Sequence, residues 1–256
     1  MLVYEAREGV ALLRLARQEK LNAIDSQMVA ELRSAIETVR GDESVRAVVV
    51  TGSGRAFSAG ADVSELAELG GAADFLRFLD DIQTTFTALE SLPVPVIAAL
   101  NGLAYGGGLE LALACDLRVM AEDATLGLPE IRLGLLPGAG GTQRLPRMIP
   151  PAIAKEMLYL GEAIAADVAL RLGLVNAVAP RENVLEAALA RAQRIATLPP
   201  LAIRSAKILA QVATEAELPG GLAAERQTVA FLFATEDRRE GLAAHRAHRP
   251  ARFTGR

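Results

Sequence analysis

The apolar residues of this chain change their spacing several times, and each change marks an element. The opening alternates around Glu8-Gly9, with VYEA before it and VALLRLA after it, which predicts a hairpin of two strands. After the loop RQEKLNAID, Met28, Leu32, Ile36 and Val39 recur at helical spacing; Asp25 or Ser26 can cap that helix and Gly41 ends it. From Val45 to Gly52, VRAVVVTG is a continuous β-branched run closed by glycine, the pattern of a strand buried on both faces of a parallel sheet.

The next segment, SGRAFSAGADVSEL, turns through glycines into a polar, helical piece that stops at Gly70-Gly71, a pair that predicts a flexible loop. Phe75, Phe78, Leu79, Ile82, Phe86 and Leu89 then mark an amphipathic helix from Asp74 to Leu89. PVIAAL predicts a second buried strand, NGLAYGGG a turn, LELALA a helix and DLRVMA a third strand. Strand, glycine turn and helix repeat without a fixed period, which is an α/β pattern. Beyond Pro150 almost every segment reads as a helix, several opened by proline and closed by glycine, and only LVNAV looks like a strand. We therefore divide the chain into an α/β core, 1–199, and a helical region, 200–256.

Composition narrows the class. With 256 residues and 51% apolar side chains, the chain can bury a sizeable core. Its single cysteine, Cys115, cannot form an internal disulfide and lies inside LALACDL, where it reads as a small buried hydrophobe. The N-terminus lacks the basic start, unbroken apolar stretch and small-residue cleavage site of a secretory signal, so the expected location is cytoplasmic. Leu92 to Leu117 carries no lysine or arginine, but Pro93, Pro95, Asn101, three consecutive glycines and Glu110 break it into shorter elements, so no membrane helix is expected. A net charge of −4 argues against a protein built to neutralise many nucleic-acid phosphates.

Three segments carry candidate chemistry: FSAGADVSEL, NGLAYGGGLELALACD and LGLPEIRLGLLPGAGGTQRLPR. In the first two, a glycine-rich turn joins a strand to a helix, where free backbone N–H groups can converge on an anion, although glycines also serve simply to make tight turns. No dinucleotide or phosphate-loop glycine spacing is present. The only histidines, His245 and His248, lie in the tail, which leaves a serine triad and a zinc site without support. Glu110 and Glu130 stand in apolar surroundings. Each is either an ion-pair partner of an arginine such as Arg118 or Arg132, or a carboxylate whose proton affinity is raised for acid-base work.

In this order and spacing the three segments resemble the enoyl-CoA hydratase (crotonase) superfamily, and the similarity runs down to the ending DRREGLAAHRAHRPARFTGR. The resemblance implies a crotonase-like spiral of strand-strand-helix turns, with a C-terminal helical region that makes a homotrimer or a dimer of trimers. It implies that the backbone N–H groups of Ala61 and Gly107 bind a thioester oxygen, and that Glu110 and Glu130 hold the water added across the double bond of a 2-enoyl-CoA. Coenzyme A is then part of the substrate, expected along Lys20, Leu21 and Ala23 and along Ala59, Gly60, Asp62 and Val63, and no separate cofactor or metal is expected.

Several runs are especially similar to the branch that includes methylglutaconyl-CoA hydratase, one member of which also binds RNA; an enoyl-CoA isomerase is the other alternative. The RNA-binding member has a lysine-rich helix at the position of Ser26 to Arg40. Here that helix has Arg33 and Arg40 against Glu31 and Glu37 and no lysine, so nucleic acid is the weaker partner. Acyl chain length and branching are open, with pocket walls expected from Leu66 to Phe78.

Overall fold

The computed structural model describes residues 1–256. Glu8 and Gly9, both at positive φ (52° and 79°), turn the chain between β1 (Leu2–Arg7) and β2 (Val10–Leu15), which pair antiparallel. The Asp25 carboxylate accepts the Met28 N–H at 2.8 Å and caps α1 (Ser26–Gly41), whose expected stripe of Met28, Leu32, Ile36 and Val39 is buried. The next apolar run forms β3 (Ala47–Gly52), buried at every position.

From there the chain winds as a spiral. It passes through β4 (Ala56–Ser58), α2 (Val63–Glu68), α3 (Ala72–Glu90), β5 (Val96–Leu100), β6 (Leu103–Tyr105) and α4 (Gly107–Leu113). Then come β7 (Leu117–Ala121), β8 (Thr125–Gly127), α5 (Gly141–Met148) and α6 (Pro151–Leu160). The remainder is β9 (Ile164–Ala165), α7 (Ala166–Arg171), β10 (Ala177–Ala179), α8 (Val184–Ala196), α9 (Pro200–Glu215), α10 (Leu218–Phe233) and α11 (Glu236–Arg246).

The turns that begin at β3, β5 and β7 each lay one strand in each of two sheets before their helices. The larger sheet has the order β1-β2-β3-β5-β7-β10, parallel from β2 onward; the smaller has the order β4-β6-β8-β9, with β4, β6 and β8 parallel. Helix α8 lies against β3, β5 and β7 on the small residues Val184, Ala188 and Ala192, whose spacing of four puts them on one face.

The smaller sheet was not expected from the sequence. Its strands are two or three residues long, too short for any periodicity to register, and two of them, β4 and β6, sit inside glycine-rich stretches read as turns. The strand expected at LVNAV is displaced to Ala177–Ala179, because Leu174 and Val175 go instead into the turn that closes on α7. Lys207 on α9 joins that helix to the core through Asp116 (2.7 Å) and the Val94 carbonyl (3.1 Å), while Ile208, Leu222, Val229, Phe231 and Phe233 of α9 and α10 stay exposed.

Candidate active site

Strands β4, β6 and β8 run parallel in the smaller sheet, so their carboxyl ends lie side by side. Each end leads into one of the three segments singled out from sequence: Ala59–Asp62 after β4, Gly106–Glu110 after β6, and Pro129–Glu130 after β8. Loops at the carboxyl ends of parallel strands converge on one place, and here they line a single cavity.

The Ala59–Asp62 stretch is stitched to the loop ahead of α1. Ala59 N–H donates to the Leu21 carbonyl (2.9 Å), Gly60 N–H to Ser58 Oγ (3.2 Å) and Asp62 N–H to the Ile24 carbonyl (2.9 Å). Ala61 N–H donates to nothing in the protein. Gly107 is the first residue of α4, so its N–H has no carbonyl within the helix and finds none outside it. A Cβ at Gly107 would stand 3.4 Å from the Ala61 nitrogen, and one at Gly60 would stand 3.3 Å from the Gly107 nitrogen. Two free donors thus face the same gap. At Gly60, φ is +100° and a Cβ would come within 2.8 Å of the Tyr105 carbonyl, so only glycine lets the two turns approach this closely.

Glu110 points from α4 into the cavity wall and is 2% exposed. Its Oε1 accepts both Ala139 N–H and Gly141 N–H at 2.7 Å, leaving Oε2 without a partner and turned to the cavity. Burial pushes its pKa up to about 7; the Glu130 charge adds to this, while the two N–H donors and Arg144 hold it back. Glu130 is the second residue of the 3-10 turn Pro129–Leu133, with Oε1 against the start of α4: a Cβ on Gly106, where φ is +50°, would lie 2.7 Å from it. Burial raises the Glu130 pKa as well, and its buried Oε2 has no hydrogen-bond partner.

Neither glutamate forms an ion pair, which removes the structural alternative considered from sequence. The Arg118 guanidinium is instead given to the carbonyls of Leu174, Cys115 and Ala112, and Arg132 to that of Leu160. The cavity encloses about 110 Å³. One water needs roughly 10–15 Å³ measured this way, so a water and a short acyl group fit together.

Of the residues expected to meet coenzyme A, Ala59, Gly60 and Val63 line the cavity, while Lys20, Leu21, Ala23 and Asp62 do not. Lys20 is exposed, with its Nζ 3.3 Å from Ser64 Oγ and 3.7 Å from Asp62; Leu21 takes positive φ (51°), Ala23 is buried and Val63 is exposed. The Asp62 side chain is turned inward. It binds Arg17 at 2.7 Å, caps α2 through Ser64 N–H and is held below the ordinary carboxylate range by those bonds, against the pull of its burial.

Several supporting residues left no legible mark in the sequence. Asn22, fully buried, donates to the carbonyls of Ser53 and Ala56 at 2.9 Å, and Arg17 bridges Asp25 (2.9 Å) and Asp62, so both fix the loop ahead of α1 against the segment around β4. Arg144 on α5 donates to the Ala139 carbonyl (3.0 Å) and to Glu90 Oε2 on α3 (2.8 Å), and Gln83 donates to the Gly138 carbonyl (2.6 Å). These bonds hold the loop whose N–H groups hold Glu110. A backbone donor carries no side-chain signature, so the pattern of residues could not reveal it.

The family model for enoyl-CoA hydratase/isomerase matches residues 5–256. The chain belongs to the enoyl-CoA hydratase/isomerase family. Among relatives, it is 42% identical over 256 residues to the 2,3-dehydroadipyl-CoA hydratase of Escherichia coli, covering 100% of this chain and 99% of that protein. It is 38% identical over 253 residues to the crotonyl-CoA hydratase of Syntrophomonas wolfei, covering 98% and 97%. Among solved structures, the enoyl-CoA hydratase of Bacillus anthracis superposes with a TM-score of 0.97 at 39% identity, covering 100% of this chain and 99% of that one. The fold is therefore the crotonase fold, and the protein is an enzyme of the hydro-lyase type found in this family. No helix is long and apolar enough to cross a membrane.

Proposed function

We propose that this enzyme adds water across the double bond of a 2-enoyl-CoA thioester. The observation that carries this reading is the convergence on one cavity of two unpaired backbone N–H groups, the buried Glu110 and the half-buried Glu130. Ala61 and Gly107 N–H polarise the thioester carbonyl and stabilise the negative charge that develops on its oxygen as water attacks C3. One such donor is worth about 10²–10³ in rate.

The two carboxyls divide the proton work. Glu110, oriented by two N–H donors on Oε1 and with a pKa of about 7, takes a proton from water as the hydroxyl bonds to C3. Glu130, with a buried oxygen that no donor reaches, is better suited to be protonated, and its proton goes to C2. Water loses one proton to Glu110 and the carbon skeleton gains one from Glu130; a proton passing between them resets the site. No metal or redox group enters the scheme.

The coenzyme A portion lies along Lys20, Leu21 and Ala23 and the backbone of Ala59, Gly60, Asp62 and Val63, which the bonds described above join into one rim. The apolar side chains left exposed on α9 and α10 are the surface on which copies associate as a trimer or a dimer of trimers, and the reducing cytoplasm suits the lone Cys115. Both arginines of α1 are paired, Arg33 with Asp81 and Arg40 with Glu37, which leaves that helix no free cation for RNA. Loss of the enoyl-thioester absorbance of crotonyl-CoA or hex-2-enoyl-CoA tests the proposal; migration of the double bond without hydration would point to the isomerase instead.

A further inference from the structure

The walls of the cavity decide more than the chemistry at C3. Beyond the two amide donors and the two glutamates, the surfaces left for the acyl group are Leu66, Phe75, Phe78, Leu79, Ile82 and Leu135, with Leu133 and Leu136 at the rim. No lysine, arginine or histidine lines the cavity. The guanidiniums on the surrounding elements are all engaged elsewhere: Arg77 of α3 with Asp74, Arg132 with the Leu160 carbonyl, Arg144 of α5 with Glu90, and Arg147 with the Gln143 carbonyl. The only ionisable groups an acyl tail meets are Glu110 and Glu130, both of the sign that repels an anion.

We infer that this enzyme is specific for acyl groups with an uncharged, apolar tail and discriminates against acyl groups ending in a carboxylate. The inference rests on the acyl-CoA reading above and sets this chain apart from its relative named for 2,3-dehydroadipyl-CoA, whose acyl group carries such an end. A terminal carboxylate would be taken out of water with no cation and no N–H donor to receive it, beside carboxyls that repel it. By the usual size of such penalties, the charged tail should weaken binding by about 10²-fold or more.

The test compares two saturated ligands of the same shape, adipyl-CoA and 6-methylheptanoyl-CoA, in which a terminal carboxylate replaces a terminal pair of methyl groups. Their dissociation constants are measured by calorimetry on the full-length protein, so the result does not depend on whether the reaction is hydration. We expect adipyl-CoA to bind about 10²-fold more weakly or worse. Affinities within threefold of each other, or tighter adipyl-CoA binding, would overturn the inference. Leu136→Arg, at an exposed rim position that tolerates a long polar side chain, should close the gap about tenfold or more by supplying the missing cation; a gap unchanged in that folded variant would also count against it. A separate assay with hex-2-enoyl-CoA reports on the hydratase reading alone, so the two ideas fail independently.

Discussion

The two glutamates line one cavity, yet the walls that carry them are built differently. Glu110 belongs to a helix of the core and is tied at Oε1 by two N–H groups from a loop that Arg144, Glu90 and Gln83 hold in turn. Glu130 sits on a short 3-10 turn whose later residues, from Ile131 to Leu136, are exposed, and its Oε2 is buried without a donor. Burial raises both; two N–H groups from a separate loop favour the Glu110 anion, whereas Glu130 has only its own backbone amide to do so. Identical side chains can therefore serve as base and acid at the same pH, because their partners differ rather than their chemistry.

Replacing either carboxyl is the harshest way to break that division. Glu110→Gln and Glu130→Gln keep the size of the side chain but end proton transfer, and each should lower hydration by about two to four orders of magnitude while acyl-CoA binding persists. Gly107→Pro spares both glutamates and removes one amide donor, so turnover should fall by about 10²–10³ in a variant shown by circular dichroism to be folded.

Arg144→Met sharpens the comparison on one side only. It frees the loop that anchors Glu110 and removes a nearby cation, so kcat should drop by about tenfold to 10²-fold, with Glu130 undisturbed. Losing that cation raises the Glu110 pKa further, and the acid limb of the pH profile should move to higher pH. Arg144→Lys, which keeps the charge, should move it less.

The smallest effect is on stability. Glu110 has a folded-state pKa of about 7 against an ordinary value of 4.5, so the folded chain holds that proton more tightly than the unfolded one. Stability therefore falls as pH rises through those two values, by roughly 3 kcal/mol from this group. Glu110→Gln should flatten the trend, measured as urea midpoints at pH 5 and pH 8.

What the sequence disclosed tracks the same contrast between self-evident and borrowed structure. Strands β3 and β5 and helices α1 and α3 announce themselves, because four or more residues repeat a spacing and their burial matches it. Strands β4, β6 and β8, which position the site, are too short to repeat anything and borrow their stability from neighbours. Glu110 and Glu130 were legible as carboxylates among apolar residues, and the free amides of Ala61 and Gly107 through the resemblance. The Ala139 and Gly141 amides, the Asn22 staple and the Arg144 bridge were not, since each acts across more than 25 positions of chain or through backbone alone. The acyl wall was expected from Leu66 to Phe78; Ile82 and the 133–139 loop complete it through packing that only the fold shows.

The central claim is that Glu110 and Glu130 act as one unit on one water. The measurement that meets it most directly is the hydration rate of Glu110→Gln/Glu130→Gln set against the two single variants under the same conditions. Residues that act together are strongly non-additive. The double variant should therefore lose little more than the worse single variant, far less than the product of the two losses. A loss equal to that product, or near-normal hydration in either single variant, would contradict the account.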